Sequence, residues 1–222
     1  VMADGSLAVG TGEGGKIYRV RSANAVPAAS IFFDSSDSHI ITLKTDKAGN
    51  LYAGTDSNGL VLRFGRDGRP FALLDSPLRE IHALSIGPDG SVYVLALGES
   101  ASSATPTPSP SPSPRSKIVA PPTKANPAAP PPPQKSRYDL TGAKSAVYRI
   151  LPDGGTDILW SSATVAGFSL SAHQSGRGVL LGTSDKGRIY DISNDGRESL
   201  ALQTDASQIS TILNYGSGLF AT

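Results

Sequence analysis

The chain has 222 residues, of which 38% are hydrophobic and 24 are glycine, no cysteine, and a formal net charge of +1. A charge so close to zero argues against nucleic acid or a membrane as a partner held by bulk charge, and the lack of cysteine excludes disulfides and thiolate metal sites. No apolar run approaches the roughly 18–20 residues of a membrane helix, so we predict no membrane segment in this chain.

The first predicted element is a β-hairpin over residues 7–20. Its pattern is a short apolar run, Gly-Thr, three or four small or polar residues, a glycine, and an alternating apolar run. The same pattern returns over residues 51–64 and 179–192. A hairpin that recurs about every 40 residues predicts the blades of a β-propeller, in which four antiparallel strands, a to d, run outward from a central channel.

Strand a of each blade has its own apolar pattern, found at Ile40–Leu43, Ile81–Leu84, Gly167–Leu170 and Ile209–Ile212. The last residues of these segments are 41, 86 and 42 positions apart. The middle spacing equals one repeat plus about 45 residues, and the interval between strands b and c of the third blade is longer by the same amount. One insertion therefore separates strands b and c of the third blade.

The blades are predicted over residues 6–34 (strands b to d), 39–76, 80–162 and 165–204, followed by strands a and b of a fifth. The fold class is thus all-β, a β-propeller fragment of four-stranded blades with three full blades and parts of two. Its divisions are residues 1–97, the insertion 98–144, and residues 145–222. Asp-Gly pairs at 67–68, 153–154 and 195–196 supply the positive φ of tight turns between strands c and d. Because both ends lie inside a repeat, we expect further blades of the same chain.

The insertion differs sharply in composition, since 12 of the 17 prolines lie between Pro106 and Pro133. Proline this dense removes ladder donors and fixes φ, which predicts a disordered segment with polyproline character. The insertion carries six Lys or Arg against two Asp or Glu. It can be interpreted as a tether to an anionic surface, as a ligand of a proline-recognising domain, or as a solvated loop expansion. Its Ser-Pro and Thr-Pro pairs favour an extracytoplasmic location, periplasmic or secreted.

No part of the sequence carries a catalytic constellation. The glycine-rich run over residues 10–15 lacks the Gly-Lys-Ser/Thr ending of a phosphate loop and is explained as a b–c turn. His39 and His82 fall near the starts of strand a in adjacent blades, while His173 is distant from both in sequence. Two imidazoles without a matched carboxylate are weak evidence for a metal. We therefore predict no catalytic residue, no cofactor and no metal site.

Residues 46–55 with Gly59-Leu60 resemble the repeat of bacterial sensor ectodomains called two-component regulator propellers, and the stretch through Phe64 also resembles an NHL repeat. Outside the insertion, the whole chain is most similar to uncharacterised, large bacterial propeller proteins of acidobacterial type. These resemblances imply a propeller and no particular activity. The Trp-Asp ending of WD repeats is missing, and so is the quinoprotein repeat, which leaves pyrroloquinoline quinone unsupported. The calcium ligands of gluconolactonase-type lactonases have no match here.

We expect a non-catalytic binding scaffold in a larger, exported bacterial protein, with a protein, a small molecule or a carbohydrate as ligand and no nucleic acid. The b–c turns and d–a connections of a propeller share one rim, and the insertion marks it. The candidate ligand residues on this rim are Gly12, Glu13, Asp56, Asn58, Arg79, Glu80, Asp185 and Lys186. Two alternatives stay open: a propeller hydrolase or lactonase, with His39 or His82 converging on a channel metal, and a ligand-sensing ectodomain of a signalling protein.

Overall fold

The structure is a computed structural model that describes residues 1–23, 26–35, 39–98, 136–215 and 218–222. Within these ranges the chain forms β-strands and no helix. The strands are β1 (Leu7–Gly10), β2 (Lys16–Ala23), β3 (Val26–Asp34), β4 (His39–Thr45), β5 (Leu51–Asp56), β6 (Leu60–Phe64), β7 (Pro70–Asp75), β8 (Glu80–Ile86), β9 (Val92–Leu97), β10 (Ser145–Ile150), β11 (Thr156–Ser162), β12 (Gly167–Ala172), β13 (Gly178–Thr183), β14 (Arg188–Ser193), β15 (Glu198–Gln203), β16 (Ile212–Tyr215) and β17 (Gly218–Ala221). No helix capable of crossing a membrane occurs in these ranges.

The strands form five antiparallel sheets, each built from strands that follow one another in sequence. Three sheets have four strands, namely β4 to β7, β8 to β11 and β12 to β15, while β1 to β3 form a three-stranded sheet and β16 and β17 a pair. We number these sheets blades 1 to 5 in chain order and keep the letters a to d for their strands. The predicted all-β class, with three full blades and parts of two, is confirmed.

The predicted insertion falls inside blade 3. Strand β9 ends at Leu97 and β10 begins at Ser145, and the two strands pair from Ser145 opposite Leu97 to Ile150 opposite Val92. Strands b and c of one blade therefore lie on either side of it. Residues 99–135, on which the prediction of a disordered proline-rich segment falls, lie outside the described residues.

The last part of the predicted insertion, residues 136–144, belongs to the described chain and lies against blades 3 and 4; we call it the strap. The backbone oxygen of Arg137 accepts a hydrogen bond from Ser161 Oγ at 3.0 Å. Arg137 Nη1 donates to the backbone oxygen of Asp195 in blade 4 at 2.9 Å. The prediction of disorder for the whole insertion therefore does not hold for the strap. The prolines end at Pro133, and the residues that follow form hydrogen bonds with blades 3 and 4.

We expect Arg137→Ala to lower the free energy of unfolding by about 1 kcal/mol, because it removes a charge-assisted hydrogen bond between two blades. Urea denaturation measures the difference. Arg69→Ala is the matched control, since Arg69 is exposed and pairs with Asp67 in its own turn. Equal free energies of unfolding for the two variants would contradict the role of the strap as a link.

Glycine and isoleucine pack together at three of the junctions between blades. The glycine lies in strand b, in the pairs Gly10 with Ile40, Gly54 with Ile81, and Gly182 with Ile209. Ile40 and Ile81 lie at the start of strand a of the next blade, whereas Ile209 lies before strand a of blade 5, which begins at Ile212 and not at Ile209 as predicted. A Cβ added to these glycines would lie only 2.5–2.7 Å from the isoleucine side chain. Between blades 3 and 4 the positions of the large and the small residue are exchanged: Leu95 in strand b packs against Gly167 in strand a. The glycine of the repeated Gly-Thr motif is therefore a packing residue that lets successive blades approach closely.

The hydrophobic core is divided among these junctions. Between blades 2 and 3 it contains the buried residues Tyr52, Ile81 and Tyr148, and between blades 3 and 4 it contains Tyr93 and Leu181. Each blade therefore buries both of its faces only when it has a neighbour on either side. This stacking fixes how the connections of successive blades line up along each edge.

Candidate functional site

The predicted rim is formed by the b–c turns and the d–a connections, which lie at the same edge of the sheets. The threonine of the Gly-Thr motif closes the b–c turn with its hydroxyl: Thr55 Oγ1 accepts a hydrogen bond from Leu60 N, and Thr183 Oγ1 donates one to Arg188 O, each at 3.1 Å. Its backbone also binds the next blade, since Ile209 N donates to Thr183 O at 3.0 Å. The repeated motif thus builds the rim and holds the following strand a beside it.

A line of residues crosses this rim from blade 1 toward blade 3. A Cβ added to Gly12 would lie 3.3 Å from His39 Cδ2, so the b–c turn of blade 1 touches the first residue of strand a in blade 2. His39 Nδ1 is 3.2 Å from Asp56 Oδ2, and Asp56 Oδ1 is 3.4 Å from Arg79 Nε. The Asp56 side chain is 12% exposed, whereas Arg79 is 57% exposed. A nearly buried carboxylate therefore holds two more exposed side chains in place.

A second group continues the line into blades 3 and 4. Glu80 begins strand a of blade 3, and its Oε1 lies 2.6 Å from His82 Nδ1. His82 is the extra residue of a β-bulge, and its ring packs edge-to-face on Phe168, with 5.8 Å between ring centroids. Phe168 holds the same bulge position in strand a of blade 4. We call the set Gly12, His39, Asp56, Arg79, Glu80, His82 and Phe168 the inner rim.

The structure brings together half of the predicted ligand residues, namely Gly12, Asp56, Arg79 and Glu80. The other four lie in the b–c turns outside this line. Glu13, Asn58 and Lys186 are exposed there. Asp185 is engaged within its own hairpin, where its Oδ2 lies 2.7 Å from Arg188 Nη1.

The expectation that the two histidines lack matched carboxylates is wrong. Asp56 faces His39 across strands a and b, and Glu80 lies two residues from His82 on one strand. The spacing of Glu80 and His82 was an available signal, since residues i and i+2 share a face of a strand. Within the described residues, no group of three or more His, Asp or Glu is placed to hold a metal ion. His39 and His82 thus belong to separate pairs.

The opposite edge, formed by the a–b and c–d turns, contains a cavity of 740 Å³ between the a–b turns of blades 2, 3 and 4. Two of its lining carboxylates are engaged in their own turns. Burial alone would raise the pKa of Asp46 and of Asp89, but hydrogen bonds from Asn50 to Asp46 and from Ser91 to Asp89 outweigh it and lower both pKa values below the usual value. Both side chains therefore stabilise turns.

No protein-family model matches the sequence, and no curated protein sequence matches it. The solved structures that are similar to the chain include the following three. The extracellular domain of BT4673 from B. thetaiotaomicron has a TM-score of 0.61 and 13% identity, covering 100% of this chain and 25% of that one. A luciferin-regenerating enzyme has a TM-score of 0.60 and 13% identity, and the match covers 99% of this chain and 66% of that one. YCF48 bound to D1 peptide has a TM-score of 0.57 and 14% identity, and the match covers 100% of this chain and 59% of that one.

The fold is a β-propeller. Identities of 13–14% show the fold alone, and the chain spans between a quarter and two thirds of the length of these structures. The first strand of each propeller blade lies nearest the central channel, which places the inner rim at one mouth of that channel. It presents two carboxylates, a guanidinium, two imidazoles and a phenyl ring across blades 2 to 4, with Gly12 of blade 1 beside them.

The insertion marks this rim of the propeller at its two junctions with the sheet. Gly98 N donates a hydrogen bond to Lys144 O at 2.9 Å beside the b–c edge. The strap then runs along the outside of blade 3, and Arg137 contacts the c–d turn of blade 4 at the opposite edge. The described end of the insertion therefore lies on the outside of blade 3, away from the inner rim.

Proposed function

We propose that this chain is part of a non-catalytic binding scaffold in a larger, exported bacterial propeller protein. Its ligand is a protein, a small molecule or a carbohydrate, and it binds at the inner rim. An extracytoplasmic location is part of the proposal, supported by the Ser-Pro-rich insertion and by the resemblance to bacterial propeller proteins of sensor and acidobacterial type.

The observation that carries the proposal is the continuity of the inner rim across four blades. Asp56 orients both His39 and Arg79, and Glu80 orients His82, before any ligand arrives. Polar side chains that are already ordered lose less conformational freedom when a ligand binds. The inner rim therefore has the properties of a preorganised recognition surface.

The hydrolase alternative requires His39 and His82 to act on one shared ion. Each imidazole uses Nδ1 toward a different carboxylate, Asp56 or Glu80, and the described residues bring no group of three or more His, Asp or Glu together to hold an ion. The lack of such a group among the described residues supports recognition over metal-assisted hydrolysis. The sensing ectodomain is a special case of the binding scaffold, in which a signalling domain reads out the bound state.

Binding of the full-length protein to a glycan microarray and to a peptide microarray tests the proposal. We expect the double variant Arg79→Glu, His39→Ala to bind any retained glycan or peptide about tenfold or more weakly, a loss of about 1.4 kcal/mol. Lys47→Glu, an exposed change at the opposite edge, is the control and should bind like the wild type. Equal binding by both variants would move the ligand away from the inner rim, and hydrolysis of a retained compound would favour the enzyme.

A further inference from the structure

Strand c of each complete blade carries a charged residue at one equivalent position, and in two blades the a–b turn of the same blade neutralises it. In blade 3, Arg149 Nη2 lies 2.7 Å from Asp89 Oδ2. In blade 4 the signs are reversed, and Asp191 pairs with His173 at 3.0 Å and with Arg177 at 2.9 Å. Pairing within the blade is therefore the rule at this position.

Blade 2 breaks this rule. Its strand c carries Arg63, which lies opposite Tyr52 as Arg149 lies opposite Tyr93. The a–b turns of the two blades have equal length, and Ala48 stands in blade 2 where blade 3 has Asp89. The described residues give Arg63 no hydrogen bond and no ion pair; its guanidinium lies 5.6 Å from the centroid of the Phe71 ring. Arg63 is half-buried, so this unpaired charge is partly shielded from water.

Arg63 lines a groove of 220 Å³ on the outer side of the propeller, between strand d of blade 2 and the c–d turn of blade 3. We call it the outer groove. Phe71 and Leu73 form one wall and Leu151 and Pro152 the other. Phe71 is 60% exposed, although it is a large aromatic residue. The groove thus combines the Arg63 cation and exposed apolar walls with one carboxylate, that of Asp153 in the c–d turn.

The equivalent groove between blades 3 and 4 is occupied by the strap, and this occupant indicates what the outer groove can bind. There the strap lies against the c–d turn, and the Arg137 guanidinium packs on Gly196. The equivalent glycine in the outer groove, Gly154, has open space beside it, since no atom lies within 4 Å of a Cβ added there. The strap is a stretch of polypeptide with two tight turns, closed by hydrogen bonds from Asp139 N to Ser136 O and from Ala143 N to Leu140 O. A peptide that places a side chain in the groove, as the strap places Arg137, is therefore a suitable occupant for this class of groove.

We propose that the outer groove binds an acidic peptide segment of a partner protein. A carboxylate of that segment pairs with the Arg63 guanidinium, which can donate two parallel hydrogen bonds to it. Apolar side chains beside the carboxylate pack on Phe71 and Pro152. Asp153 also lines the groove, but its Oδ1 already accepts a hydrogen bond from Gly155 N in its own turn. Arg63 is the lining ion without a hydrogen bond or an ion pair among the described residues, so a carboxylate of the partner pairs with Arg63. This surface is separate from the inner rim and does not depend on it.

A phage-displayed library of random dodecapeptides, selected on the full-length protein, tests the proposal. We expect the selected peptides to share an Asp or Glu flanked by aromatic or aliphatic residues. Synthetic copies, measured by fluorescence anisotropy, should bind Arg63→Gln about tenfold or more weakly than the wild type. Ala48→Asp should weaken binding as much, because it restores the internal partner that blade 3 has in Asp89.

Arg69→Gln is the matched control, an exposed arginine of the same blade that should leave peptide binding unchanged. Circular dichroism checks that each variant is folded, and both test changes lie at partly or fully exposed positions. Selected peptides without an acidic residue, equal binding to Arg63→Gln and the wild type, or a library that yields no binder would each overturn the proposal. Sedimentation that showed a dimer lost in Arg63→Gln would overturn it too, by assigning the groove to a second copy.

Discussion

Gly54→Ala is expected to lower the free energy of unfolding by about 2 kcal/mol, although alanine is the better residue in a strand. The added Cβ would lie 2.5 Å from Ile81 Cγ2 and 2.7 Å from Thr42 Cγ2. Gly54 does not have a positive φ, so the backbone accepts alanine without strain. The loss is therefore steric, and it measures how closely blade 2 must approach blade 3.

A double-mutant cycle with Ile81→Gly separates this steric cost from a general weakening. Ile81→Gly alone should cost about 4 kcal/mol, from the cavity it leaves and the added backbone freedom. The double variant should cost at least about 1 kcal/mol less than the sum, because the alanine then enters the emptied space. The contact between Leu95 in strand b and Gly167 in strand a shows that another junction already has the larger residue in strand b and glycine in strand a.

Urea denaturation of the wild type, the two single variants and the double variant provides the four free energies of the cycle. Effects that add to within about 0.5 kcal/mol would contradict direct contact between positions 54 and 81 as the cause. A stabilising effect of Gly54→Ala would contradict the close approach of the two blades.

The elements that depend on neighbours in sequence could be predicted. The c–d turns need positive φ, and the Asp-Gly pairs supply it: Gly68, Gly154 and Gly196 have φ of 74°, 94° and 78°. The repeated Gly-Thr pattern likewise identified the b–c hairpins, because alternation and turn chemistry act over a few residues.

Contacts between blades could not be predicted in the same way. The packing of Gly54 on Ile81 joins residues from two repeats, and a single repeat does not show which positions meet. The bulges in strand a also shift the register by one residue, and this shift sets which side chains reach the inner rim. The sequence therefore permits a metal-ligand role for His82 as an alternative, whereas the packing of its ring on Phe168 depends on the register of two blades.

The unpaired cation of the outer groove is recognised only when equivalent positions of different blades are compared. Arg63 and Ala48 are unremarkable in the sequence, since exposed Arg and Ala are common in hairpins. Only the pairing of Arg149 with Asp89 at the same positions of blade 3 shows that blade 2 lacks a partner for its cation. The sequence contains this information, but the strand register is needed to extract it.

Tyr52→Phe is expected to reduce a loss of stability that the wild type shows between about pH 10 and pH 12. Tyr52 is 5% exposed, lies between blades 2 and 3, and donates its hydroxyl hydrogen to Asp46 Oδ2 at 3.0 Å. Burial and this hydrogen bond raise the pKa of Tyr52 to about 12, because both disfavour the phenolate. A difference of about two from the unfolded value of about 10 corresponds to about 3 kcal/mol.

The sign follows from proton linkage. Below about pH 10 the hydroxyl is protonated in both states, and the full contribution of Tyr52 to stability is present. Between about pH 10 and pH 12 the unfolded chain has lost the proton and the folded chain keeps it, so stability falls as the pH rises. Burial also raises the pKa of Tyr93 and of Tyr148, which adds to the same loss in the wild type.

Urea denaturation at a series of pH values from neutral to about 12 measures this dependence, and absorbance of the phenolate follows the titration directly. Tyr52→Phe should cost about 1 kcal/mol at neutral pH, where it removes one hydrogen bond, and should decline less steeply in alkali. Tyr18→Phe, at a half-buried tyrosine of blade 1, is the control for removing a phenol elsewhere. If Tyr52→Phe lost stability as steeply as the wild type, the alkaline loss would arise elsewhere. A shallower decline would assign part of the loss to Tyr52, whose hydroxyl joins the a–b turn of blade 2 to the junction with blade 3.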